Sequence, residues 1–316
     1  MTRGFFVAGP PQDEKQPPRG GSDPRSGGAW GPFFSAGPPQ DEKQPPRGGS
    51  DPRSGGAWGA FFSAGPPQDE KQPPRGGSDP RSGGAWGAFF ITGTDTEIGK
   101  TAITAALTHL AAQSGLRAAA IKPLAAGQDC VDGRWVNEDV LRLRAASNMD
   151  LRDDEVGPLQ LRTPCAPHIA ARLEGRTISR DSLLAAVRGV AARADIAFVE
   201  GVGGFRVPLV PGWDTADLAV DLGLPVVLVV GLRLGCINHA LLTAEAVRAR
   251  GLPLAGWVAN TVDAAMPYVA DNLAALEAGL SAPLLGHVPR LSDPHPAAIA
   301  AHLPKALALL LAQQAA

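Results

Sequence analysis

Phe89-Phe-Ile-Thr-Gly93-Thr-Asp-Thr-Glu-Ile-Gly99-Lys100-Thr101 is the stretch on which the reading of this chain turns. A short β-favouring apolar run, Phe89 to Thr92, enters a polar loop bounded by Gly93 and Gly99, and an Ala/Leu-rich helical pattern follows from Thr101 to Gln113. Strand, glycine-bounded loop and helix in that order make a phosphate-binding loop. Successive backbone N–H groups and the helix N-terminus stabilise phosphate oxygens, Lys100 can reach β- and γ-phosphates, and the Thr101 hydroxyl suits Mg²⁺. Five residues separate the glycines where the generic motif has four. The bland alternative is a glycine turn that only caps a helix, and the Lys-Thr pair closing the loop speaks against it.

Downstream of this loop, apolar runs of strand length alternate with helical patterns, the sequence sign of an α/β fold with a mainly parallel sheet and helices on both faces. Strands are predicted at Phe89 to Thr92, Ala118 to Lys122, Ile196 to Glu200, Val226 to Val230, Gly256 to Ala259 and Leu284 to Val288. Helices are predicted at Thr101 to Gln113, Ser182 to Ala192, His239 to Arg250, Pro267 to Ala278 and Pro296 to Ala312. Residues 89–316 are thus expected to form one domain.

Upstream the material changes. Phe5-Phe-Val-Ala-Gly-Pro-Pro-Gln restarts at Phe33 and Phe61, a period of 28, before Phe89 begins the pattern again and departs from it. Of 38 glycines and 30 prolines in the chain, 19 and 16 precede Phe89, leaving each unit no alternating or helical apolar run with which to bury a core. Residues 1–88 are therefore expected to be disordered tandem repeats. Gln16-Pro-Pro-Arg19 and its copies could serve as polyproline ligands. Near-identity of the copies favours an expanded insertion instead, since removing Val7 to Phe90 regenerates Gly-Phe-Phe-Ile-Thr-Gly.

From Ile91 onward, 19 Lys and Arg stand against 22 Asp and Glu, which argues against a nucleic-acid partner. Cys130, Cys165 and Cys236 are far apart and form no CxxC pair, which fits the reducing cytoplasm. The start has no apolar leader and no stretch reaches the length of a membrane span, so no membrane role is expected.

Three further residues carry chemistry. Glu200 ends a buried apolar strand before Gly201-Val-Gly-Gly204, which puts its charge at the carboxyl edge of the sheet, where ligands bind in open α/β sheets. Asp139, in Asn137-Glu-Asp-Val, can join it as a metal ligand or can equally be an ordinary N-terminal acid stabilised by a helix dipole. Lys122 ends the second strand in Ile121-Lys-Pro and is read as facing Lys100 across a phosphate site, where it would stabilise charge developing in phosphoryl transfer.

Together these pieces resemble the dethiobiotin synthetases, almost continuously from Phe89 to about Pro289. The resemblance is carried by Gly93-Thr-Asp-Thr-Glu-Ile-Gly-Lys-Thr101, Lys122-Pro123, Asn137-Glu-Asp139, Pro167-His168, Glu200-Gly-Val-Gly-Gly204, Gly235-Cys-Ile-Asn-His239 and Gly256-Trp-Val-Ala-Asn260. The longer loop is that family's form. The resemblance implies a P-loop NTPase fold that uses ATP and Mg²⁺ to make dethiobiotin from 7,8-diaminononanoate and CO₂.

By the same resemblance, Gly93, Asp95, Thr96, Glu97, Ile98, Gly99, Lys100 and Thr101 bind the triphosphate, and Thr101, Asp139 and Glu200 hold Mg²⁺. Thr96, Glu97, Lys100 and Lys122 surround the reacting carbamate, with Ala126 and Gly203 beside the substrate. Asn260 is expected to hydrogen-bond adenine, with Pro289 and Leu291 at the base pocket. The family's homodimeric form puts Gly235, Cys236 and Asn238 against substrate held by the other subunit. One departure concerns affinity: the family pattern often reads Lys-Pro-Val-Ala-Ser-Gly, and here Ala126 in Lys122-Pro-Leu-Ala-Ala-Gly127 supplies no hydroxyl. The rivals are a cobyrinate-type synthetase, which should carry a glutaminase domain, and a ParA/MinD-like ATPase switch. The switch calls for a basic surface or a cationic terminal helix, and Pro296 to Ala312 offers only His302 and Lys305.

Overall fold

The computed structural model describes residues 87–314, and the repeat, with its expected disorder, lies outside the described residues. A six-stranded sheet runs in the order Leu284–Val288, Leu254–Thr261, Val226–Leu232, Ala88–Gly93, Ile196–Glu200, Ala118–Ile121, and every pairing in it is parallel. The alternation of strand-length and helical patterns is the cause. Parallel neighbours need crossover helices, and the helices cover both sheet faces, so strands read as continuous apolar runs.

Phe89 and Ile91 pack beneath the helices Lys100–Gln113, Pro296–Ala300 and Ala306–Gln314, through Ile103, Leu107, Ile299 and Leu310. Phe90 faces the opposite side, among Leu184, Val187 and Leu218 of the helices Arg180–Ala191 and Thr215–Leu222. On that same side, Leu228 and Trp257 meet the helices Cys236–Ala249 and Val269–Leu280. Phe89, Phe90, Ile91 and Phe198 are all fully buried. Each contributes roughly 1.5–3 kcal/mol by leaving water, which is why the first strand is fixed in the middle of the sheet.

That central position creates the site. Strand Ala88–Gly93 lies between Ile196–Glu200 and Val226–Leu232, neither of which adjoins it in the chain. The chain runs first to one side of it and later to the other, and the crevice outside the carboxyl ends of the strands opens at such a switch point.

The helix expected over Pro296 to Ala312 is two helices, Pro296–Ala300 and Ala306–Gln314. Pro304 explains the break: it has no N–H to donate, its ring clashes with the preceding turn, and it disfavours helical geometry at Leu303. The helix expected from Pro267 begins at Val269, after Tyr268 at φ 56°, and runs on to Leu280. The hairpin Asp129–Val131/Arg134–Val136, absent from the sequence reading, turns on Asp132-Gly133, both at positive φ. Asp-Gly is the standard signal for that turn.

Candidate active site

The loop Gly93 to Gly99 is built around Ile98, which is 1% exposed. Its side chain fills the space over Gly93 and Gly231: a Cβ added at either glycine would lie 2.6 Å from Ile98. Thr94 ties the loop to the next strand, its N–H donating to Val229 O at 3.0 Å and its Oγ1 accepting from Gly231 N at 3.3 Å. Gly99, at φ 89°, turns the chain into the helix, and a Cβ there would meet Asn260 Nδ2 at 2.4 Å. The first bond inside the helix is Ile103 N–H to Gly99 O, 3.0 Å. The amides of Lys100 and Thr101 therefore project from a helix N-terminus, the arrangement that attracts phosphate oxygens.

Asp95 organises the rest of the loop. Its Oδ1 accepts from Thr96 N at 2.8 Å, its backbone carbonyl accepts from Lys100 Nζ at 2.6 Å, and its Oδ2 pairs with Arg233. The Thr96 amide, with Arg233 adding to it against the cost of burial, holds the Asp95 carboxyl below the usual carboxylate range. Burial brings Lys100 down to about 8, Glu200 opposing the fall and Lys122 adding to it. Thr96 and Glu97 are exposed at the loop tip, with Glu97 at φ 57°. Gly203, at φ 65°, approaches from the loop after Glu200: a Cβ on it would be 3.6 Å from Thr96 Oγ1.

Lys122, Asp139, Glu200 and Thr101 form one cluster beneath that loop. Glu200 is fully buried, and its Oε1 accepts both Thr101 Oγ1–H at 2.7 Å and Lys122 Nζ–H at 2.9 Å. Lys122 also pairs with Asp139, which the Asn137 cap places in the first turn of the helix Glu138–Ala146. Burial alone would weaken the Lys122 charge, but Glu200 and Asp139 outweigh it and raise its pKa. Burial likewise opposes ionisation of Asp139, and Lys122 and the Thr101 hydroxyl reverse the sign. Lys122 bridges the two carboxylates and lies near enough to Lys100 for the two ammonium charges to repel.

Thr101, Asp139 and Glu200 offer a hydroxyl and two carboxylates, a hard-oxygen set that suits Mg²⁺, and Glu200 Oε2 is buried with no hydrogen-bond partner. Among the described residues no cluster of three His, Cys, Asp or Glu could hold a metal. Mg²⁺ does not need one, because it takes one or two carboxylates and completes its shell with phosphates and water.

Asn260, Pro289 and Leu291 come together in a cleft of about 310 Å³ beside Glu97 and Gly99. Asn260 Nδ2 donates to Ile98 O at 2.8 Å, so its side chain is anchored to the phosphate loop. Gly235, at φ 92°, and exposed Asn238 open the helix Cys236–Ala249. The Cys236 side chain is buried among Leu228, Val230 and Ala240, and its N–H is engaged by Arg233 O at 3.0 Å. Ala126 ends a short strand, Leu124–Ala126, paired with Leu159–Leu161. A larger groove of about 560 Å³, around Trp135, Gln160 and Arg162, contains none of the predicted site residues. The glycine-bounded loop and its helix N-terminus lie elsewhere.

Arg233 escaped the sequence reading. It follows an apolar strand, as many surface arginines do, and only the fold brings it to Asp95 across 138 positions.

The family model described as an AAA domain matches residues 87–298. Among solved structures, a ParA family ATPase from Chlorobium tepidum TLS aligns over 74% of this chain and 99% of its own, at 13% identity and a TM-score of 0.44. The ATP-dependent dethiobiotin synthetase BioD of Aromatoleum aromaticum is 56% identical over 211 residues, 67% of this chain and 94% of the relative. That of Janthinobacterium sp. (strain Marseille) is 56% identical over 216 residues, 67% of this chain and 92% of the relative. With more than half the residues identical over nearly the whole length of these relatives, the chain belongs to the dethiobiotin synthetase family.

Proposed function

We propose that this protein closes the ureido ring of dethiobiotin, in biotin biosynthesis, from 7,8-diaminononanoate, CO₂ and ATP. The observation that carries the reading is the convergence of Lys100, Thr101, Lys122, Asp139 and Glu200 at one end of a parallel sheet in a chain of this family. An amine of the substrate adds to CO₂ and loses a proton to give a carbamate. A carbamate oxygen takes the γ-phosphoryl group of ATP, releasing ADP. The neighbouring amine then attacks the activated carbonyl, closes the ring and expels phosphate. The amine is already a competent nucleophile, so the protein's share is positioning and charge stabilisation.

The amides at the helix end of the loop, Gly99 to Thr101, and the Lys100 ammonium bind the triphosphate, while Lys122, Thr96 and Glu97 orient the carbamate. Thr101, Asp139 and Glu200 would hold Mg²⁺, which when bound neutralises phosphate charge. Asn260 Nδ2 is engaged by Ile98 O, which leaves its Oδ1 to accept from an adenine amino group, with Pro289 and Leu291 as apolar walls. We also propose a homodimer. Leu234 is 96% exposed beside Gly235 and Asn238, and Leu242 is 57% exposed two turns on, an apolar strip suited to a second copy. No described helix is long and apolar enough to cross a membrane, and the three cysteines are free, which suits the cytoplasm.

A coupled assay for ADP release tests the reading. Release should require both diaminononanoate and bicarbonate, and release that ignores either compound overturns it.

A further inference from the structure

We infer that Asn137 is a positioning residue for ring closure, whose one amide holds the Ala126-Gly127 turn and the Asp139 carboxylate in fixed relation. The inference rests on the proposed places of Ala126 beside the diamine and of Asp139 at the metal. Asn137 is 5% exposed, and both ends of its amide are engaged. Its Oδ1 accepts from Val140 N at 3.1 Å and caps the helix Glu138–Ala146. Its Nδ2 donates to Gly127 O at 2.6 Å, ten positions back along the chain. An acceptor facing an N–H and a donor facing a carbonyl fix the orientation of the amide, and among side chains of this length Asn alone supplies both groups.

These bonds make a closed circuit. The chain runs from Lys122 to Gly127, the amide crosses to Asn137, the chain runs on to Asp139, and Asp139 returns to Lys122 through their ion pair. Gly127 is held from its other side as well: its N–H donates to Leu161 O at 3.0 Å, and the next N–H, of Gln128, donates to Arg162 O at 3.1 Å. The hairpin Asp129–Val131/Arg134–Val136 hangs outside the circuit and is exposed along nearly its whole length. A cap alone is served as well by Ser as by Asn. The donor on Gly127 O has no part in capping, and it is the group that ties the substrate turn to the metal-binding turn.

The test separates the two hydrogen bonds in the full chain. Asn137→Ser keeps a cap acceptor and lacks the amide donor, and Asn137→Ala lacks both. Each should raise the KM for diaminononanoate about three- to tenfold, the loss of one neutral hydrogen bond, while the KM for ATP at saturating Mg²⁺ stays at the wild-type value. Asn137→Ala should lose about 2–4 °C more of thermal midpoint than Asn137→Ser, because only it loses the cap. Mn²⁺ binding in the presence of ATP, followed by electron paramagnetic resonance without diamine, should weaken by a similar factor in both. Val131→Ser combined with Arg134→Ser alters the hairpin outside the circuit and should leave the diamine KM and Mn²⁺ affinity unchanged. An unchanged diamine KM or an unchanged Mn²⁺ affinity in Asn137→Ser overturns the inference, as does a hairpin variant that behaves like Asn137→Ser. ADP release by the wild type without diamine would instead refute ring closure, and the Mn²⁺ measurement would still decide the inference.

Discussion

Gly99→Ala is the substitution for which the structure supports the fullest account. The residue sits at φ 89°, ψ 22°, where a side chain costs about 1–2 kcal/mol in backbone strain. Its new Cβ would also lie 2.4 Å from Asn260 Nδ2. That atom is the end of a side chain and can swing away, but doing so breaks its 2.8 Å bond to Ile98 O, a loss of about 1 kcal/mol. The sum is about 2–3 kcal/mol, or about 4–12 °C of thermal midpoint for a domain of this size. Calorimetry and denaturant unfolding of the single variants and of Gly99→Ala with Asn260→Ala separate the two contributions. In the Asn260→Ala background the hydrogen bond is already gone, so Gly99→Ala should cost only the backbone strain, and the double variant should be about 1 kcal/mol more stable than the sum of the singles predicts. Strict additivity would show that Gly99 and Asn260 do not share the contact and would remove the packing argument for this glycine.

Lys122→Ala should lower ring closure about 10²–10³-fold while ATP binding stays within a few-fold, because the loop amides and Lys100 remain; kcat and equilibrium dialysis read the two effects. Near-normal turnover would take Lys122 out of the reaction. Glu200→Gln and Asp139→Asn should each raise the Mg²⁺ concentration for half-maximal activity by about tenfold or more, since a neutral amide is a poorer ligand for a hard cation. An unchanged requirement in both would move the metal elsewhere. Burial holds His287 below its ordinary value of 6.5 and His302 adds to the shift, so the fold prefers the neutral ring and stability declines as pH drops below that value. His287→Gln, which can keep a hydrogen bond to Thr261, should flatten the decline of thermal midpoint between pH about 7 and about 5. Equal slopes would assign the decline to other groups.

The inner strands were legible because they are buried on both faces, so Ile196–Glu200 stands out as a run whose limits coincide with the observed strand; the limits expected for the partly buried edge strand Leu284–Val288 coincide as well. The phosphate loop was legible for a different reason: glycines and a Lys-Thr pair at fixed spacing encode it locally. Elements whose stability comes from context were not. The hairpin after Gly127 is exposed along most of its length and offers no apolar periodicity, although its Asp132-Gly133 turn was open to recognition. Pro304 inside an otherwise helical pattern also announced the break in the last helix. Within the site, residue types singled out Lys100, Thr101 and Glu200, whereas Asp139 read equally well as an ordinary first-turn acid until the family resemblance chose it, and the fold sets it against Lys122. The Arg233–Asp95 pair had no sequence signal, because it joins a loop tip to the end of a strand far along the chain.

A chain that makes dethiobiotin from 7,8-diaminononanoate builds a cyclic urea whose carbonyl carbon comes from CO₂. The most direct measurement supplies the purified protein with diaminononanoate, Mg²⁺, ATP and ¹³C-bicarbonate and follows the product by mass spectrometry. Dethiobiotin should carry the heavy carbon in its ureido carbonyl and form in step with one ADP per ring. ATP consumed without labelled dethiobiotin, or dethiobiotin formed without the label, would contradict it.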